Sequence, residues 1–197
     1  MSTRGIYGFR KNEVDKLTYN HYDSYPEGLG RKVIEFIGNH TIEELNKIYD
    51  KIIMVDNEST PTEEQIKECE KYADISVSEQ SLEDWYCLLR NSQGDLFAYD
   101  DLRYMINNAD FILDSLFCEY GYIINLDTNR LEIYKGFQKV FDPTNRYTIE
   151  HEIAEGNMGY YPCKMVAEID LKTIQDTYNF DDVIKNIEEY CKDEEVW

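Results

Sequence analysis

The spacing of hydrophobic positions divides the chain into strands, then helices, then strands, then a last helix. Thr3 to Phe9 and Val14 to Tyr19 predict two short strands around the turn Arg10-Lys11-Asn12-Glu13. Leu29, Val33, Phe36 and Ile37 then recur at helical spacing, and Gly38 can end that helix. Thr41 with Glu44 reads as a capping box ahead of Ile42, Leu45, Ile48, Tyr49 and Ile52. Thr62 with Gln65 repeats the box before Ile66, Cys69 and Ala73, with Glu63 and Lys67 paired on the wet face. Ser81 is expected to cap a helix carrying Leu82, Trp85, Leu88 and Leu89, which Gln93-Gly94-Asp95 breaks. Leu102, Met105 and Ile106 suggest one more helix.

From Leu116 the period changes to two. Cys118, Tyr120, Tyr122, Ile124 and Leu126 alternate with their neighbours, and the turn Asp127-Thr128-Asn129-Arg130 returns the chain through Leu131 to Phe137 as a hairpin partner. Further strands are expected around Val140–Phe141 and from Tyr160 to Leu171. The segment between them, with Pro143, Gly156 and Gly159, reads as a long loop. Val183, Ile184, Ile187, Tyr190 and Cys191 make the buried stripe of a final helix. The pattern predicts one α+β domain over residues 1–197 with a helical middle section at about 28–108. Its antiparallel sheet would combine the N-terminal hairpin with the central and C-terminal strands, packed with several amphipathic helices.

Composition narrows the function classes. Hydrophobic residues make up 42% and aromatics 14% of 197 positions, enough for a sizeable core. No apolar run approaches the roughly 20 residues needed to cross a bilayer, and no signal region opens the chain, so a cytoplasmic protein without a membrane role is expected. Five cysteines without any C-x-x-C pair read as reduced, mostly buried thiols. Forty acids against twenty bases give a net charge of −20. Such a surface repels phosphate backbones, so direct nucleic-acid binding is not expected, and a basic partner surface suits it instead.

Candidate chemistry gathers in the loop Asn20-His21-Tyr22-Asp23-Ser24-Tyr25-Pro26-Glu27-Gly28-Leu29-Gly30, dense in groups that donate, accept or stack. Ser2 would become N-terminal once Met1 is removed, pairing a hydroxyl with a free amine as in N-terminal nucleophile hydrolases. Alternatively, Cys118 with His21 and Asp23 could supply a thiolate, an imidazole and an orienting carboxylate if loop and strand meet. Glu150-His151-Glu152 lacks the second His of a zinc motif and reads as a solvated acidic turn. No cofactor or metal is expected. The acid-rich stretch from Asp176 ends in Asp193-Glu194-Glu195, and interleaved lysines dilute any polyanion-like face.

The strings Thr3-Arg4-Gly5, Tyr19 through Gly30, Asp84-Trp85-Tyr86-Cys87-Leu88-Leu89-Arg90 and Asp114-Ser115-Leu116-Phe117-Cys118-Glu119-Tyr120 are distinctive. Together they resemble a family of small proteins encoded by tailed bacteriophages and prophages, over most of the chain up to about Gly136. The resemblance brings no catalytic residues with it. It implies a setting, a phage accessory product in a bacterial cytoplasm. The combined expectation is an accessory factor that binds and inhibits a host protein, such as a basic nucleic-acid-handling defence factor. Its contacts would be Tyr22, Asp23, Tyr25 and Glu27 first and Asp193, Glu194 and Glu195 second. A small hydrolase or transferase built on Ser2 or Cys118 is the rival.

Overall fold

The computed structural model describes residues 3–153, 156–177 and 179–192. Strands β1 (Gly5–Lys11) and β2 (Val14–Asn20) form the opening hairpin. Its turn is shorter than the four residues expected: Asn12 and Glu13 alone make it, both at positive φ (52° and 62°). The carboxylate of Asp127 clamps that turn by accepting from the Asn12 and Glu13 amides at 2.7 and 3.0 Å. Asp127 itself sits in the turn between β5 (Tyr120–Asn125) and β6 (Arg130–Lys135), so the tips of the two hairpins are tied together.

Among the described residues, five strands form one sheet in the order β2-β1-β5-β6-β7, with β7 at Lys164–Asp170. The α+β class and the strand membership agree with the sequence pattern. Three of the four pairings are antiparallel, and β1 runs parallel to β5 with Gly5 beside Tyr120 and Arg10 beside Asn125. The parallel pair follows from the long helical excursion between β1–β2 and β5, which returns the chain to the same end of the sheet.

That excursion supplies α1 (Arg31–Gly38), α2 (Ile42–Lys51), α3 (Glu63–Cys69) and the short α4 (Trp85–Leu88). Both expected capping boxes form, on Thr41 with Glu44 and on Thr62 with Gln65. Asp84, rather than Ser81, caps α4 by accepting from the Tyr86 amide at 3.0 Å. The helix expected at Leu102–Ile106 is a strand instead: β4 (Tyr104–Ile106) pairs in parallel with β3 (Ile53–Val55). Three consecutive buried residues suit a strand covered on both faces, and periodicity does not separate that from a buried helical turn.

The C-terminal part departs in three places. Val140 and Phe141 form no strand, because β7 already occupies the open edge of β6, and Val140 is exposed. The long loop contains a short helix, α5 (Arg146–Glu150). The strand expected from Tyr160 begins at Lys164, and Leu171 opens α6 (Leu171–Gln175), with Asp170 as its cap. The final helix α7 (Phe180–Lys192) buries Ile184, Ile187 and Cys191 of the expected stripe, while Val183 is half-buried and Tyr190 is exposed.

The sheet separates two unlike interiors. Tyr7, Phe9, Tyr122, Ile124, Leu131 and Ile133 face a large apolar core completed by α1, α2, α6, α7 and the helical segment. The alternate positions Ile6, Leu17, Ile123 and Tyr134 face a smaller core closed by Ile112, Cys118, Tyr147 and Cys163 from irregular segments and α5.

Candidate functional site

The loop after β2 is held in one shape by its own backbone. The Ser24 amide donates to the Thr3 carbonyl at 3.1 Å and the Leu29 amide to the Asp23 carbonyl at 2.8 Å. Asn20 donates from its side chain to the Ser24 hydroxyl at 2.8 Å and to the Tyr22 carbonyl. Gly28 permits the closure, since a Cβ there would lie 2.0 Å from the Asp23 carbonyl oxygen. This pinning leaves Tyr22 and Tyr25 outward, 53% and 40% exposed. Glu27 turns back onto Arg31, which donates to it at 3.0 and 2.8 Å and also reaches Asp181 of α7 at 2.8 Å.

His21 sits where the loop leaves the sheet. Its Nδ1 shares a 2.6 Å hydrogen bond with the Tyr19 hydroxyl, and its ring meets Tyr22 edge-on at 4.3 Å. The Gln93 side-chain oxygen accepts from the His21 amide at 3.2 Å and from Arg90 at 2.8 Å, which joins the loop to the segment after α4. The Arg90 guanidinium lies over the rings of Tyr22 and Tyr86 at 5.5 and 5.7 Å, and Arg4 lies over Phe117 at 5.3 Å. Burial, then the charges of Arg90 and Arg4, hold the His21 imidazolium pKa below its usual value. Burial raises the Tyr19 hydroxyl in turn. Behind this corner, Tyr7, Tyr86, Ser92 and Gln93 help line a cavity of about 10 Å³, room for a single water.

The candidate nucleophiles fare differently. Ser2 lies outside the described residues, as do Asp193, Glu194 and Glu195. Cys118 is fully buried just before β5, donating to the Tyr120 carbonyl at 3.6 Å, while the Cys163 thiol donates to the Cys118 carbonyl at 3.3 Å. Burial and then the neighbouring Cys163 thiol push its pKa well above the ordinary value, the reverse of what a thiolate nucleophile needs. All five cysteines are free thiols and buried, as the spacing suggested.

A second cluster of polar side chains lies under the back face of the sheet. Arg10 donates to Asp15 at 3.0 Å and to Glu150 at 2.6 Å. Tyr147 donates to the other Asp15 oxygen at 2.8 Å and accepts from Arg146 at 3.1 Å. Arg146 forks onto Glu132 at 3.0 and 2.8 Å, and Glu132 also accepts from Asn125 at 2.6 Å and Tyr134 at 3.0 Å. Burial alone would lower the Arg146 pKa, but the Glu132 fork together with Tyr147 and Tyr134 outweighs it and the value rises. Burial, followed by the Glu132 charge, raises Tyr134. Sequence reasoning missed this chain of groups. Its trace is the pair Asn125 and Glu132, polar residues at inward positions of β5 and β6. Glu150, with His151 and Glu152, is exposed as expected, and it also reaches Arg10.

Compared with known proteins, the chain matches no protein-family model, no curated protein and no solved structure. Among the described residues, no helix is long and apolar enough to cross a membrane.

Proposed function

We propose that this is a binding protein that grips a basic surface of another macromolecule, through the loop bearing Tyr22, Asp23, Tyr25 and Glu27. One observation carries the reading: two tyrosines stand exposed on a loop whose backbone is already fixed by the Thr3, Asp23 and Asn20 bonds. Aromatic anchors that need no ordering on contact lose little conformational entropy when they bind. The net charge of −20 steers such a loop toward cationic partners and away from polyanions. The resemblance to phage-encoded proteins supplies the finer form, inhibition of a basic nucleic-acid-handling host factor in a bacterial cytoplasm.

The test is capture from bacterial lysate at low salt, with retained proteins identified by mass spectrometry. A basic protein should be retained, released at high salt, and lost when Tyr22→Ala and Tyr25→Ala are combined. Retention of nothing, or equal retention by the double variant, would overturn the reading.

A further inference from the structure

Among the described residues, five of the seven arginines are ion-paired to carboxylates: Arg10, Arg31, Arg103, Arg130 and Arg146. The two with no described carboxylate in ion-pair reach are Arg4 and Arg90. In a chain with twice as many acids as bases, guanidinium groups without a carboxylate partner are unexpected, and the charges of both act on His21. The ladder that pairs Gly5 with Asn20 brings Arg4 and His21 to the same end of β1 and β2. Gln93, bonded to both the His21 amide and the Arg90 guanidinium, brings Arg90 to the same corner.

We propose that Arg4, Arg90 and His21 form a binding site for the phosphate group of a small phosphorylated molecule. Both guanidinium groups are oriented by aromatic rings, Arg4 by Phe117 and Arg90 by Tyr22 and Tyr86. Stacking leaves the edge N–H groups of a guanidinium to form the planar fork that fits phosphate oxygens. Two forks and a protonatable imidazole match a phosphate monoester, whose second ionisation falls at about pH 6 and whose dianion can use a third positive group. A monoanionic carboxylate has less need of that third charge. The half-exposed rings of Tyr22 and Phe117 offer faces for a flat group attached to the phosphate. A charge of −20 over the whole chain repels a polymer of phosphates, so the fitting ligand is small. Two acids near them are partly engaged elsewhere: the Glu119 carboxylate accepts from the Arg4 backbone amide at 3.3 Å, and Asp74, which feels the Arg90 charge, accepts from Ser76.

The site goes beyond the macromolecular reading and does not depend on Tyr25 or Glu27. The proton balance gives it a distinctive readout. His21 is held toward its neutral form by burial and by the two arginines, and its ring faces Tyr19 and Tyr22 with Tyr86 nearby. An anion held by the arginines offsets their charge, so the imidazolium is favoured and the His21 pKa rises.

The experiment is a pH titration of the three histidine ring resonances of the full chain by NMR, at low ionic strength. It is run without ligand, with inorganic phosphate, and with a nucleoside 5′-monophosphate. Saturable shifts confined to His21, with its pKa raised by about one unit, are expected from both ligands. The nucleotide should bind more tightly if a ring stacks on Tyr22 or Phe117. R4Q and R90Q should each raise the His21 pKa without ligand and weaken phosphate binding by about tenfold. R90K keeps the charge but loses the fork, so it should weaken binding while leaving His21 low. His40 and His151 report whether each variant is folded. An unresponsive His21 overturns the proposal, as does an equal shift from chloride at matched ionic strength, or unchanged phosphate affinity in folded R4Q and R90Q.

Discussion

The two faces of the sheet are built from the same strands but by opposite means. The helix-covered face is apolar from Tyr7 across to Ile133, and α1, α2, α6 and α7 close it with matching stripes. The back face carries Arg10, Asn125 and Glu132 at inward positions and is closed by loops and α5. Apolar packing is non-directional and tolerates exchange of similar shapes. A buried chain of charges is directional, and each member depends on the next. The helix face therefore supplies bulk stability, while the back face fixes where α5 sits.

The largest expected effect tests that division directly. Glu132→Ala removes the acceptor shared by Arg146, Asn125 and Tyr134, leaving a partly buried guanidinium unpaired. Urea unfolding should show a loss of about 3–5 kcal/mol. Combining Glu132→Met with Arg146→Met should cost less than Glu132→Ala, since no buried charge is then orphaned. If the paired change is the worse of the two, the back face is not held by its charges.

On the other face, Leu45→Ala in α2 should cost about 2–5 kcal/mol by leaving a cavity in the apolar core. Its loss should be insensitive to salt and additive with Glu132→Ala, because the sheet lies between the two sites. Strong coupling in the double variant would mean that the two faces behave as one unit.

The smallest effect is the sharpest contrast, a pair of matched hydroxyl deletions. Tyr147→Phe removes a group that donates to Asp15 and accepts from Arg146, and should cost about 1–2 kcal/mol. Tyr122→Phe removes a buried hydroxyl that has no hydrogen-bond partner among the described residues, and should be neutral or slightly stabilising. Equal losses from the two would remove the distinction between the faces.

Several features were legible because they are local. The capping boxes at Thr41 and Thr62, the stripe of α7, the alternation from Tyr120 to Asn125 and the buried cysteines each rest on residues a few positions apart. The strand at Tyr104–Ile106 is not separable from a helical turn by spacing, because a short buried run has no face to display. At the candidate site, the loop from Asn20 to Gly30 stood out by its residue types, and His21 and Tyr22 with it. Arg4 and Arg90 did not stand out, because 86 positions separate them and nothing near either residue marks it as unpaired.

What the sequence alone determined is the kind of elements, the ends of the capped helices, the strongly anionic character and the loop richest in chemistry. All of these follow from spacing and composition. Only the tertiary structure decided that β1 runs parallel to β5, that Glu132 and Arg146 meet beneath the sheet, and that two arginines arrive beside one histidine. Those outcomes depend on which distant segments share a face, and that is settled by packing the whole chain at once rather than by any window of it.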